Sequence, residues 1–141
     1  MGEEPAGKAP WHLWAIGVAA LLWYAAGTVT IFMAQLGMLA VTPGEAAYYA
    51  AQAPWFRAVT DVADFAGIAG AAMLLMRSAK ALRVFVLSLV AIAVTHGYDY
   101  AMGTSRSYDN NGALAVNVIV VVIAVLLIGY SAAMKRRGVL R

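Results

Sequence analysis

Between Lys8 and Glu45 the chain carries no Lys, Arg, Asp or Glu, and three further long apolar runs follow. A hydrocarbon core about 30 Å thick takes about 20 residues of α-helix to cross, so runs of this kind fold as membrane spans. Spans are expected at about 11–38, 55–76, 82–102 and 113–134. The 141 residues are 63% hydrophobic and 12% charged, against about 45–50% and 25% in soluble domains. The expected fold class is therefore an all-α membrane protein: one domain, built as an antiparallel bundle of four transmembrane helices. This length leaves no room for a separate catalytic domain. The absence of cysteine excludes a disulfide framework, thiolate metal ligands and a cysteine nucleophile. The chain opens with Glu3 and Glu4, and its first apolar run outlasts a signal-peptide core, so that run is expected to be retained as a span.

The net charge of +3 invites a nucleic-acid reading until the charges are located. Eight of the ten basic residues (Lys8, Arg77, Lys80, Arg83, Lys135, Arg136, Arg137 and Arg141) stand at the ends of apolar runs. Such residues collect on the cytoplasmic side. Both termini and the linker 77–83 are thus expected to be cytoplasmic, in a bacterial inner (plasma) membrane, with no nucleic-acid partner. Trp11 and Trp14 at one boundary, and Tyr48, Tyr49, Trp55 and Phe56 at the other, suit interfacial belts. The tail 135–141 is expected to meet anionic lipid headgroups.

Thr42-Pro43-Gly44-Glu45 reads as a capping box, with Pro43 at the first helical position. A short amphipathic helix over 43–53 should follow on the outer surface and stop before Pro54. The polar, turn-rich stretch 103–112 reads as a loop, with Asp109 or Asn110 capping the last helix.

Ionisable groups at membrane depth are costly and tend to face the bundle interior. Asp61 and Asp64 precede the linker, and His96 and Asp99 follow it. Each pair is spaced i, i+3 and shares a helix face. Measured from Arg77 and Arg83, Asp64 and His96 are each about 20 Å away at 1.5 Å per residue, with Asp61 and Asp99 one turn further out. A DxxD face opposite an HxxD face is expected, with Arg57 able to pair with Asp61 at i, i+4, and with Asn117 and Gln35 at the same end. Together these residues predict a polar pocket in the outer half of the bundle.

Three uses for that pocket remain open. Carboxylates and His on facing helices suit a divalent metal such as Zn or Mn, although no motif demands a cofactor. The group also suits a proton or a small ligand, titrating as a coupled set. Hydrogen bonding across helices is the structural alternative. No Walker loop, dinucleotide fingerprint, HExxH or nucleophile elbow is present, so a non-enzymatic role is favoured. The leading function is binding or relay of a proton, cation or small polar solute. A carrier this small would act as a homo-oligomer or within a membrane complex, and the alternative is an accessory subunit of such a complex. His12 at the inner boundary carries little weight as a haem ligand. Ala63, Gly67 and Ala71 form a small-xxx-small stripe that admits a neighbouring helix, and Tyr24, Thr28 and Thr30 are expected to hydrogen-bond inside the bundle.

The stretches WHLWAIGVAALLWYAAGTVTIFM, APWFRAV and GIAGAAMLLMRSAKALRVFVLSL resemble small bacterial four-span proteins, uncharacterised or loosely labelled sugar-transporter-like. The resemblance implies a four-helix inner-membrane protein and no particular activity. Asp61 and Asp64 depart from the apolar residues usual at those positions.

Overall fold

The computed structural model describes residues 8–104 and 112–141. Five helices follow in order: α1 (Trp11–Gln35), α2 (Pro43–Ala51), α3 (Pro54–Leu75), α4 (Lys80–Met102) and α5 (Gly112–Arg136). No strand occurs among the described residues. The helices α1, α3, α4 and, from Leu114 onward, α5 are long and apolar enough to cross a membrane. Their outer faces carry Leu22, Val90, Val94, Val122 and Leu126 exposed, far more apolar surface than a soluble monomer tolerates. Glu3, Glu4, Asp109 and Asn110 lie outside the described residues.

The helix ends follow from local chemistry. The capping box forms as the sequence predicts: Thr42 Oγ1 accepts from the Glu45 amide, and Glu45 Oε2 accepts from the Thr42 amide at 2.8 Å. α2 stops at Ala51, because Gln52 and Ala53 turn extended ahead of Pro54. α1 ends earlier than its apolar run. Gly37 adopts φ 69°, its amide bonds to Ala34 O, and the Met38 amide bonds to Met33 O. That paired closure is a Schellman stop, for which the left-handed residue is ordinarily glycine. α3 closes in the same way on Arg77, a non-glycine residue at φ 58°.

α3 is the centre of the packing. It lies against α4 most extensively and against α1 next, α4 carries α5, and α1 also touches α2. The small residues on α3 allow this. A Cβ at Gly67 would run into the Tyr24 ring of α1, and one at Gly70 would meet the Phe85 ring of α4 at 2.8 Å. Ser88 Oγ donates to Ala63 O at 2.7 Å. Leu13, Ala71, Leu74, Ala81 and Phe85 complete a fully buried core.

The start of α1 meets the end of α5 where His12 Nδ1 lies 2.6 Å from the Tyr130 hydroxyl. At that same end the last residues seal the α3–α4 turn, with the Ala79 amide bonded to Arg141 O and the Arg141 amide bonded to Arg77 O. Basic residues therefore gather at one end of the molecule, and α2 lies at the other. Beyond the His12–Tyr130 contact, α1 and α5 leave a seam. It holds an apolar groove of about 510 Å³, lined by residues such as Ile16, Ala19, Trp23, Ile123 and Leu126.

Candidate functional site

A cavity of about 620 Å³ opens at the α2 end and takes walls from all five helices. α1 supplies Tyr24, Thr30 and Gln35, α3 supplies Thr60 and Asp64, α4 supplies Thr95, His96 and Asp99, and α5 supplies Asn117. Of the residues singled out by sequence, Asp64, His96, Asp99, Asn117 and Gln35 therefore line one space. Asp61 and Arg57 do not.

The ionisable groups differ in how they are satisfied. Asp99 is buried and fully engaged: the Tyr48 hydroxyl donates to Oδ2 at 2.5 Å and Thr104 Oγ1 donates to Oδ1 at 2.7 Å. Asp64 and His96 are half-buried, and Asp64 Oδ2 and His96 Nε2 are buried atoms with no hydrogen-bond partner. Buried polar atoms are ordinarily paired, so among the described residues these two groups of the cavity wall have hydrogen-bonding capacity to spare. Arg57 does not turn to Asp61. Its Nη2 donates to Tyr49 O at 2.7 Å, its Nε has no partner, and Asp61 Oδ1 is likewise left alone. The guanidinium thus ties the first turn of α3 back to α2 across the extended residues Gln52 and Ala53.

The depths differ from those measured along the sequence. Ser88, not His96, contacts the Ala63 carbonyl beside Asp64, and Phe56 packs against Tyr98 with ring centroids 5.8 Å apart. His96 is eight residues beyond Ser88 in α4, about 12 Å at 1.5 Å per residue. The acids and the imidazole are thus strung along the cavity, with Asp64 deep and Asp99 under α2. Among the described residues no three His, Asp or Glu side chains gather closely enough to hold a metal ion, so the geometry gives the divalent-metal reading no ligand set.

Sequence reasoning did not place in the site Thr60 and Thr95, nor Glu45, Tyr48 and Tyr49 of α2 with its C-cap Gln52, all of which line the cavity. The sequence signal for α2 was the pair of tyrosines, which reads equally as an interfacial belt. Burial, and secondarily the Glu45 carboxylate, push the Tyr49 phenol above its ordinary value of 10.0, so it stays neutral at physiological pH. His12 is engaged with Tyr130. Thr28 and Thr30 donate at 2.8 Å to Tyr24 O and Ala26 O within their own helix rather than across the bundle.

No known protein family, curated protein or solved structure matches the chain.

Proposed function

We propose that the chain is an antiparallel four-span membrane protein whose cavity, at the end away from the basic segments, binds a small polar or cationic solute. The observation that carries this is the cavity of about 620 Å³, walled by carboxylates, with Asp64 Oδ2 and His96 Nε2 unpartnered. Leaving buried polar atoms unpaired costs about 1–3 kcal/mol each, a cost that a ligand would remove. The basic end faces the cytoplasm by the asymmetry of Lys and Arg, α2 lies along the outer surface, and the tail meets anionic lipid.

The absence of native cysteine makes a direct test available. Thr60→Cys places a thiol in the cavity wall, and Ala93→Cys places one on the exposed face of α4. The first is expected to react with a cationic thiosulfonate reagent faster than with an anionic one, by about tenfold, as carboxylates focus cations. Ala93→Cys should react with neither. Asp64→Asn should shrink the preference at Thr60→Cys. Equal and slow labelling by both reagents would remove the reading.

The sparse packing of α5 favours a second reading, an accessory subunit or homo-oligomer that covers this helix. Co-migration with a fixed partner, or with further copies, in native gels from gentle detergent tests it.

A further inference from the structure

Trp23 of α1 lines both the polar cavity and the apolar groove between α1 and α5, so the two spaces adjoin at one indole. The groove runs along α1 from Ile16 to Trp23, about 10 Å at 1.5 Å per residue, with walls of Ala19, Ile123 and Leu126. Among the described residues the polar side carries three carboxylates, Glu45, Asp64 and Asp99, and neither Lys nor Arg. Glu45 is held by its capping box and Asp99 by Tyr48 and Thr104, which leaves Asp64 with a buried, unpartnered oxygen. Tyr24 and Trp23 add aromatic faces to the same wall, and aromatic faces attract ammonium groups.

We infer that the site takes a single amphiphile with an ammonium head and an alkyl tail, the head against Asp64 and the tail past Trp23 in the groove between α1 and α5. This rests on the polar cavity being a binding site, as proposed above, and names the class of its ligand. A neutral solute would leave the Asp64 charge uncompensated. A purely polar cation would leave the groove to bilayer lipid, and a plain acyl chain would bring nothing to the carboxylates. The seam between α1 and α5 lets a molecule whose tail is already in the bilayer enter sideways, with no aqueous route through the bundle.

The test measures binding to the full chain in nanodiscs of zwitterionic lipid, with partition into empty nanodiscs subtracted. The probes are decyltrimethylammonium, tetramethylammonium and decanoate. Decyltrimethylammonium is expected to show a saturable one-to-one component. Asp64→Asn should weaken it about tenfold or more, as loss of a charged contact does. Ala19→Phe, which fills the groove from an exposed position, should weaken it comparably and leave tetramethylammonium binding unchanged. Should that variant not fold, Leu126→Trp fills the same space from α5. Tighter binding of decanoate overturns the inference, and so does decyltrimethylammonium binding that neither groove substitution disturbs. Tetramethylammonium binding that depends on Asp64 and gains nothing from the tail also overturns it, yet leaves the polar site standing. No saturable binding of either cation, with no charge preference at Thr60→Cys, removes both readings.

Discussion

Asp64 separates a binding role from a structural one, because the two predict opposite stability changes. If its carboxylate held helices together, its removal would cost stability. With Oδ2 buried and unpartnered, replacement of the group relieves a desolvation penalty of about 1–3 kcal/mol. Asp64→Leu is therefore expected to leave the bundle as stable or more so, by up to about that amount, while shrinking the charge preference at Thr60→Cys. A thermal-unfolding midpoint that falls by several degrees would assign Asp64 to the scaffold. Gly67 behaves in the contrary way. A methyl there meets the Tyr24 ring, and overpacking of this kind costs about 1–3 kcal/mol. Gly67→Ala should lower the midpoint, and Gly27→Ala, whose added Cβ meets nothing within 4 Å, should not. The small stripe on α3 was legible from its spacing. That Asp64 would stay unpaired was not, because pairing depends on which residue of α4 stands opposite.

At the scale of the elements, α2 is the part least firmly held. None of its residues is fully buried, and its anchors include the Tyr48–Asp99 bond and the Arg57 bond to Tyr49 O. Tyr48→Phe removes one anchor and leaves a buried carboxylate oxygen short of a donor, a loss of about 1–3 kcal/mol. Amide exchange across α2 should quicken while α3 and α4 keep their protection, and uniform protection in all three would show that α2 is held by something else. The Tyr49 phenol gives a pH signature with a definite sign. Its value in the fold is raised, so its contribution to docking is complete below the ordinary 10.0 and is lost as pH rises through the folded value. Relative to the intrinsic base-catalysed rate, α2 should keep its protection below 10.0 and lose it as pH rises from there through the folded value. The capping box that starts α2 was plain in Thr42 and Glu45. Its seat over the cavity was not, since two adjacent tyrosines mark a water–lipid boundary and a cavity wall in the same way. The depth error has a similar origin. Arg77 closes α3 in the left-handed conformation, whereas Arg83 is already inside α4, so the two do not stand at equal distance from the turn.

For the whole molecule, the four long apolar helices were legible because apolar length is a property of the chain alone. The seam between α1 and α5 was not, since it is set by how closely the first and last of these helices approach. The gathering of basic residues at one end carries the last prediction. The start of α1, the α3–α4 turn and the end of α5 come together through His12–Tyr130 and the Arg77–Arg141 backbone bonds. Whichever side one of these occupies, the other two share it. Lys and Arg beside spans resist translocation, so under the function proposed above that side would face the cytoplasm and the cavity mouth the exterior. Met38→Cys, exposed in the turn after α1, should be labelled in intact cells by an impermeant reagent. Arg136→Cys, exposed at the end of α5, should be labelled only after permeabilisation. The reverse pattern would invert the protein and turn the cavity toward the cytoplasm. Labelling of both positions from one side would break the shared-end geometry itself, because Met38 and Arg136 close opposite ends of the bundle.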